Sequence, residues 1–294
     1  MMKTKEGMHT AYRVADEILR DRLEAKVPEA LEALAALKKA DVLVTRGQYD
    51  HIERVFDVAG TPYTLIQPQA LNRVELRPDQ IIFVNCPGQI EAAGLRRLTS
   101  FVDAGGFLFT TDWAVKNVLE PAFPGVVEFN QRPTRDEVVR VEILDREDPF
   151  LAAILGPDDD PQWWLEGASY PIRILQPERV RVLLTSKDIA RRYGEAPVFL
   201  TFEHGQGRIY HMISHFYLQR TETRTQRQRS SAYDYLAEKG ISAPEFEKYA
   251  RLGTGDLSSG EVESALSSRS MMARVLWEKS QQVKRRGERE KKKE

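Results

Sequence analysis

The chain has 294 residues, of which 41% are hydrophobic and 30% charged, a composition typical of soluble globular proteins. Its 43 Lys and Arg residues almost balance 44 Asp and Glu residues, which excludes a generally basic, histone-like protein. The single cysteine, Cys86, excludes an intrachain disulfide and any metal site that needs several cysteines of this chain.

The sequence predicts a cytoplasmic protein with no membrane contact. No stretch approaches the roughly 18 consecutive apolar residues of a transmembrane helix. The first ten residues are polar and lack the apolar core of a signal peptide. A lone cysteine is also consistent with a reducing compartment.

Residues 1–40 are predicted to form an N-terminal helical segment. Apolar side chains recur at three- and four-residue steps from 11 to 23 and again from 31 to 37, which is the spacing of one helix face. Pro28 falls between the two runs and predicts a break into two helices. We expect this segment to pack on a domain or a partner rather than to carry chemistry.

Residues 41–220 are predicted to form the main α/β domain. Short apolar runs at 42–45, 63–66, 81–84, 107–110 and 208–215 are predicted strands, and helices are predicted over 51–59, over 89–104 and from 114 onward. Residues 138–203 are β-rich and more irregular. Apolar strands that alternate with helices indicate a mostly parallel sheet with helices on both faces.

Residues 221–294 are predicted to form a C-terminal helical extension that ends in a basic tail. Helices are predicted near 233–237, 244–249 and 261–283. The last of these carries an apolar stripe of Val262, Leu266, Met272, Val275, Leu276 and Trp277, which must be buried. We expect the C-terminal helices to bind a partner protein or a second copy of the chain. The alternative is that the stripe folds back onto its own domain.

Basic residues near the C-terminus give a weaker signal. Arg224, Arg227 and Arg229 lie in a polar stretch, and residues 284–294 hold seven basic and three acidic residues. Such residues could contact nucleic-acid phosphates in a salt-sensitive way. A mixed run of charges more often forms a solvated helix end, so nucleic-acid binding is the less favoured interpretation.

Polar side chains follow four of the predicted strands of the main domain. These loops contain the candidate ligand-binding residues Gly47, Tyr49, Asp50, Asn85, Cys86 and Trp113, and the candidate catalytic residues Asp112 and His215. In an open α/β sheet, ligands bind beyond the carboxyl ends of the strands. We therefore expect these residues to lie at one edge of the sheet.

Each candidate also has a simpler interpretation. Asp50 and Asp112 each precede a predicted helix and could cap it. Cys86 could be a buried packing residue, because free cysteines are commonly buried and inert. His211 alternates with apolar residues along its strand and is predicted to be a core histidine, which leaves His215 as the histidine of the site.

The segment 81–112, IIFVNCPGQIEAAGLRRLTSFVDAGGFLFTTD, resembles the class I glutamine amidotransferase-like family of flavodoxin-like α/β folds. In that family a strand leads to a helix that ends in Gly-Gly, and the next strand enters a sharp turn that carries the nucleophile. The segment 205–215, GQGRIYHMISH, resembles the late strand that delivers the family's catalytic histidine. The resemblance covers residues 41–220 and implies the same fold.

The departures from the family pattern bear on activity. The family has Cys in a Gly-x-Cys-x-Gly turn, where this chain has Asp112, and Glu two residues after the histidine, where this chain has Tyr217. Glutamine hydrolysis needs a thiolate activated by a base, so we expect neither glutaminase activity nor a cofactor. The resemblance implies a catalytically degenerate protein that binds or scaffolds within a bacterial multi-protein system, by family analogy one with an AAA-type ATPase.

Two other functions remain open at this stage. Asp112 on a strand-to-helix turn, with His215 as the base, could form a hydrolase site with a carboxylate nucleophile. Alternatively, Asp50, His51, Asp112 and His215 could bind a divalent metal, because imidazole and carboxylate ligands suit zinc or iron.

Overall fold

The structure, a computed structural model, describes residues 2–144, 162–216, 226, 229–238 and 241–292. Its strands are β1 (Val42–Thr45), β2 (Thr64–Ile66), β3 (Ile81–Val84), β4 (Phe107–Thr111), β5 (Val127–Phe129), β6 (Glu137–Arg140), β7 (Glu142–Ile143), β8 (Gln162–Leu165), β9 (Ile172–Ile174), β10 (Val180–Thr185), β11 (Pro197–His204) and β12 (Gly207–Met212). The main sheet has eight strands in the order β2-β1-β3-β4-β12-β11-β10-β7. Strands β2, β1, β3, β4 and β12 run parallel, and β11, β10 and β7 extend the sheet by antiparallel pairing.

Helices flank this sheet and form both ends of the described chain. They are α1 (Met2–Lys26), α2 (Pro28–Ala35), α3 (Ile52–Ala59), α4 (Ala92–Asp103), α5 (Lys187–Tyr193), α6 (Ala232–Glu238), α7 (Ala243–Ala250) and α8 (Ser259–Lys291), with shorter helical turns at Pro68–Asn72, Val115–Leu119, Glu120–Ala122 and Thr254–Asp256. Pro28 begins α2, so the predicted break in the N-terminal segment is confirmed. Gly60 ends α3 in the left-handed conformation, with φ of 64°, that glycine adopts readily.

The centre of the sheet is apolar on both faces. Every residue of β1, β3 and β4 is buried, as expected for parallel strands covered by helices. Phe83 of β3 stacks on Phe109 of β4 with ring centroids 5.3 Å apart, so neighbouring strands share one aromatic core. The predicted α/β fold with a mostly parallel sheet and terminal helices is therefore confirmed.

The C-terminal helix α8 packs against α1 of the same chain. The predicted stripe residues Val262, Leu266, Met272, Val275 and Leu276 are all buried. Tyr12 Oη lies 2.9 Å from Ser268 Oγ, and Arg269 Nε donates to Asp16 Oδ1 at 2.8 Å, which joins the two helices by buried polar contacts. These stripe residues are thus buried within the chain, as in the alternative expectation, and partner binding through the C-terminal helices stays a prediction.

The features that the sequence associated with membranes and nucleic acids are only partly described. In the ranges given above, none of the helices combines the length and the apolar character needed to span a bilayer. Arg224 and Arg227 lie outside the described residues, while Arg229 is exposed. Helix α8 runs on through the mostly exposed basic residues after 284. Nucleic-acid binding at either place stays a prediction.

Two short antiparallel ribbons accompany the main sheet, β5 with β9 and β6 with β8. The loop at 166–170, which follows β8, reaches the turn after β4. There the Trp113 indole Nε1–H donates to the backbone oxygen of Ala168 at 2.6 Å. The ribbons therefore bring residues that are distant in sequence to the carboxyl edge of the parallel strands.

Candidate functional site

The loops after β1, β3, β4 and β12 meet at the carboxyl edge of the sheet. They place four buried side chains in one region: Asp50 and Cys86 are 0% exposed, Asp112 is 2% exposed and His215 is 4% exposed. Parallel strands bring these loops to the same edge because each strand ends in the same direction. We call the set of Asp50, Cys86, Asp112, Glu166 and His215 the strand-end cluster.

Asp112 and His215 are in direct contact. Oδ2 of Asp112 lies 3.1 Å from Nε2 of His215, and Nδ1 of His215 lies 2.8 Å from Oε2 of Glu166. The other carboxylate oxygen of Asp112, Oδ1, accepts a hydrogen bond from the backbone N–H of Tyr170 at 2.8 Å. The imidazole therefore bridges two carboxylates, one from the turn after β4 and one from the loop after β8.

The backbone of Asp112 adopts an uncommon conformation. Its φ is 49°, in the left-handed region that non-glycine residues rarely occupy and that costs on the order of 1–3 kcal/mol. The residue sits on a strand-to-helix turn between β4 and the helical turn that begins at Val115. Its side chain faces His215 and Tyr170 rather than capping that helical turn. Nucleophile elbows also place a residue with a strained backbone at a strand-to-helix turn.

Cys86 lies inside this cluster rather than among apolar packing residues alone. Its backbone N–H donates to Thr111 Oγ1 at 3.1 Å, and its Sγ lies 3.8 Å from Asp112 Oδ2. Burial raises the pKa of the Cys86 thiol to about 11. The side chain is therefore a neutral thiol at neutral pH, which makes it a poor nucleophile without further activation.

Asp50 links the loop after β1 to the loop after β12. Its Oδ1 accepts hydrogen bonds from the backbone N–H of His51 at 2.8 Å and of Phe216 at 3.1 Å. Its Oδ2 is buried and has no hydrogen-bond partner among the described residues. Burial raises the pKa of this carboxyl, while the nearby charge of His215 opposes the rise. Asp50 is thus part of the site's electrostatics and not simply a cap of α3.

The charges of the cluster stabilise a protonated imidazole. Burial alone would lower the pKa of His215, but its contacts with Asp112, Cys86 and Glu166 outweigh burial and hold that pKa well above the usual range. Burial raises the pKa of Asp112, and the interaction with His215 opposes this rise. At neutral pH the cluster therefore holds an imidazolium among carboxyl groups, with more acidic than basic groups in the site.

Aromatic side chains line the outer side of the cluster. Trp113 contacts Tyr49 edge to face at 5.2 Å and stacks on Tyr170 at 5.3 Å, and Tyr170 stacks on Phe129 at 3.7 Å. Tyr49 is 41% exposed, so this aromatic row leads from solvent toward the buried carboxylates. Stacked rings with a polar group behind them are typical of a small-molecule site.

Gly47 allows the loops after β1 and β3 to touch. A Cβ at this position would lie 2.5 Å from Asn85 Cβ and 2.7 Å from the backbone oxygen of Cys86. Any side chain would push the two loops apart. Gly47 therefore shapes the site through its backbone.

Two other predicted site residues face away from the cluster. Asn85 Nδ2 donates to Glu53 Oε2 at 3.0 Å, and His51 Nδ1 lies 3.2 Å from Glu53 Oε1. Among the described residues, the side chains whose ligand-type atoms lie within 4.8 Å of one another are Cys86, Asp112 and His215. Of the predicted metal set of Asp50, His51, Asp112 and His215, this group contains Asp112 and His215, while His51 contacts Glu53 and Asp50 binds backbone N–H groups.

Glu166 is the member of the strand-end cluster that sequence reasoning missed. In the sequence it follows β8, in the irregular part of the domain, and not one of the strands of the parallel sheet. The family resemblance directed attention to the second residue after His215 as the source of an acidic partner. In the structure the acidic partner comes from a ribbon instead.

Comparisons with known proteins give weak structural similarities. No protein-family model and no curated protein sequence matches the chain. An exo-β-1,4-mannosidase from Opitutaceae bacterium strain TAV5 matches with 11% identity and a TM-score of 0.43 over 80% of this chain and 39% of its own. A ThuA-like protein from Bacteroides uniformis ATCC 8492 matches with 12% identity and a TM-score of 0.43 over 60% of this chain and 81% of its own.

A cytoplasmic protein from Salmonella typhimurium matches with 10% identity and a TM-score of 0.42, over 74% of this chain and 99% of its own. The chain spans only 27–39% of the length of the mannosidase and of two β-galactosidases that it also resembles. Similarity at this level identifies neither a family nor an activity.

Proposed function

We propose that this chain is a catalytically degenerate, glutamine amidotransferase-like protein whose strand-end cluster binds a ligand without hydrolysing glutamine. The observation that carries the proposal is the contact between Asp112 and His215 at the turn after β4. A carboxylate occupies the position where the family resemblance places a thiolate, and it is paired with a histidine that holds its proton.

The protonation states of Cys86 and His215 both disfavour thiolate catalysis. A cysteine nucleophile needs a lowered pKa or an adjacent base that removes its proton. The pKa of Cys86 is raised to about 11 by burial, and the cysteine follows β3 rather than β4. His215 is protonated because Asp112 and Glu166 flank it, so it has no free site to accept the proton of Cys86.

A glutaminase assay tests this part of the proposal. The full chain is incubated with glutamine and released ammonia is measured, with Cys86→Ala as the matched variant. We expect both proteins to give the rate of the protein-free blank. Ammonia release that depends on the wild-type chain and disappears in Cys86→Ala would contradict the proposal.

The scaffold role in a multi-protein system, including an association with an AAA-type ATPase, rests on the family resemblance. The apolar stripe that first suggested association in trans is buried against α1, so it does not supply the interface. Sedimentation of the full chain over a range of concentrations tests self-association directly. A single monomeric species at all concentrations would exclude the second copy and leave a different protein as the partner.

A hydrolase with Asp112 as nucleophile is the second candidate, and it is favoured by the positive φ of Asp112 at an elbow turn. In this mechanism Oδ2 attacks a saturated carbon of the substrate and forms an alkyl ester, while the bond from that carbon to the leaving group breaks and the leaving group takes the proton of His215. The neutral imidazole then accepts a proton from the hydrolytic water, which attacks the ester carbonyl of Asp112 and restores the carboxylate. Glu166 then stabilises the imidazolium that results.

Isotope labelling separates this candidate from simple binding. A panel of alkyl halides and alkyl sulfonates is turned over in ¹⁸O-water, and the peptide that contains Asp112 is examined by mass spectrometry. A carboxylate nucleophile gains ¹⁸O during turnover, whereas a binding site does not. Asp112→Asn serves as the control that must neither turn over nor gain label.

A further inference from the structure

Three side chains with different metal-binding atoms meet in the strand-end cluster. The Sγ of Cys86, a carboxylate oxygen of Asp112 and a ring nitrogen of His215 all lie within 4.8 Å of one another. Oδ2 of Asp112 is 3.1 Å from Nε2 of His215 and 3.8 Å from Sγ of Cys86. All three residues are at most 4% exposed.

These separations suit a tetrahedral ion. Zinc–ligand bonds of about 2.0–2.3 Å separate tetrahedral nitrogen and oxygen ligands by about 3.4 Å, and sulfur and oxygen ligands by about 3.6 Å. The observed distances of 3.1 Å and 3.8 Å differ from these values by a few tenths of an ångström. The two separations measured from Asp112 therefore suit one tetrahedral ion, and the Sγ of Cys86 and the ring nitrogen of His215 lie within 4.8 Å of each other.

The nitrogen that an ion would bind is Nε2 of His215. It is buried, and it lies 3.1 Å from Oδ2 of Asp112. This nitrogen lies on the side of the ring that faces Cys86 and Asp112.

The surrounding contacts hold each ligand atom in place. Glu166 contacts Nδ1 of His215, which leaves Nε2 as the nitrogen for an ion. Tyr170 holds the other oxygen of Asp112, and Thr111 holds the backbone of Cys86. A carboxylate behind a ligand histidine is the usual support of zinc sites, where it fixes the orientation of the ring.

We propose that Cys86, Asp112 and His215 bind one zinc-type divalent ion, with Glu166 as the positioning residue of His215. The inference rests on the proposed ligand-binding role of the same cluster and names its ligand. The mixture of sulfur, nitrogen and oxygen suits zinc, whereas magnesium and calcium prefer oxygen ligands alone. Binding replaces the protons of the Cys86 thiol and of His215 Nε2, which pass to solvent, and three protein ligands leave a fourth position for water or a substrate.

Cobalt(II) substitution gives the most direct test, because a thiolate ligand produces a ligand-to-metal charge-transfer band and a tetrahedral site gives intense visible bands. The full chain is purified without a histidine tag or chelator, dialysed, and titrated first with Co²⁺ and then with Zn²⁺. We expect one equivalent to bind with both features, and Zn²⁺ to displace Co²⁺. A wild-type protein that binds no cobalt, or binds it without a charge-transfer band, overturns the proposal.

Variants assign the ligands. Cys86→Ser is expected to lose the charge-transfer band and to bind Zn²⁺ at least about 10-fold more weakly, and Glu166→Gln to bind it about 10–100-fold more weakly with the band retained. His51→Asn is the matched control, because His51 is a nearby histidine outside the cluster, and its affinity should equal that of the wild type. An equal loss in His51→Asn, or an unchanged band in Cys86→Ser, refutes this ligand set. Should Cys86→Ser fail to fold, the wild-type spectrum alone decides.

The result is separable from the proposed function. Absence of metal binding in a protein that also releases no ammonia from glutamine overturns the metal site and leaves the proposed function in place. Cys86-dependent ammonia release overturns the proposed function, whatever the metal titration shows.

Discussion

His211 and His215 lie four residues apart and are both fully or almost fully buried, yet their pKa values are shifted in opposite directions. His211 sits within β12 among apolar residues, contacts Thr110 Oγ1 at 2.8 Å, and has its pKa lowered to about 3 by burial. His215 sits just beyond the strand between Asp112 and Glu166, and its pKa is raised well above the usual range. The sheet interior therefore excludes charge, while the carboxyl edge of the same strands concentrates it.

The largest expected difference between the two regions follows from removing each imidazole. His215→Gln leaves Asp112, Glu166 and Asp50 without their cation, and breaking a buried ion pair in this way costs about 3–5 kcal/mol. His211→Gln removes a neutral side chain with one polar contact and should cost about 1–3 kcal/mol. Urea unfolding of both variants at pH 7 measures the difference. Equal losses would mean that His215 is not a buried cation.

Gly47→Ala changes the packing of the loops at the carboxyl edge of the sheet and leaves the sheet interior unchanged. Its Cβ would lie 2.5 Å from Asn85 Cβ and 2.7 Å from the oxygens of Asp50 and Cys86, and such overpacking costs about 1–3 kcal/mol. The loops must separate, so we expect Cys86 to react faster with a maleimide than in the wild type. Gly287→Ala, where an added Cβ meets no described atom within 4 Å, is the control: because Gly287 lies in α8, the change should not destabilise the fold, and it should leave the reactivity of Cys86 unchanged. An unaltered Cys86 reactivity in Gly47→Ala would show that the loops do not pack as described.

The pH dependence of protein stability tests whether His211 is neutral in the folded chain. The unfolded chain takes up a proton on this histidine near pH 6.5, whereas the folded chain resists protonation until about pH 3. The contribution of His211 to the stability of the folded state therefore falls with pH through this window, by about 1.4 kcal/mol between pH 7.5 and 5.5. The stability of the wild type relative to His211→Gln should fall by that amount, measured by urea unfolding at both pH values. A wild-type and variant difference that does not change with pH would contradict a neutral buried His211.

The smallest expected effect concerns the aromatic row at the edge. Trp113→Phe removes the hydrogen bond from Nε1 to Ala168 and keeps a ring against Tyr170, so it should cost about 1 kcal/mol. Loosening of the loop at 166–170 should also lower the zinc affinity of the site through Glu166. Thermal unfolding and zinc titration of this variant measure the two effects. No change in either would show that the ring alone, without its N–H, holds the loop.

The parallel sheet was predictable because its central strands are short, mostly apolar runs in the sequence. The contact between Asp112 and His215 followed from the same reasoning, since side chains after parallel strands meet at one edge. Cys86 was correctly located after β3, but its position beside Asp112 depends on how the loop folds back, which strand patterns do not encode. The catalytic and ligand-binding roles assigned to these residues stay predictions.

Glu166 and the course of α8 could not be read from the sequence for physical reasons. Glu166 reaches His215 through a ribbon whose pairing is non-local, so no periodicity marks it. Helix α8 buries small and paired polar residues such as Ser268 and Arg269 as well as its apolar stripe. A count of apolar side chains shows that a helix must be covered, but it does not show which surface in the molecule covers it.

The join between α1 and α8 also sets an order of events during synthesis. Tyr12 and Ser268 are 256 residues apart in the chain, and Asp16 and Arg269 are 253 residues apart. At about 5–20 residues per second, a ribosome needs on the order of 10–50 seconds to make the α8 partner after α1 has emerged. Throughout that interval Tyr12 and Asp16 of α1 lack the partners on α8 that they contact in the folded chain. The buried polar contacts between the two helices therefore form only after the last long helix has left the ribosome.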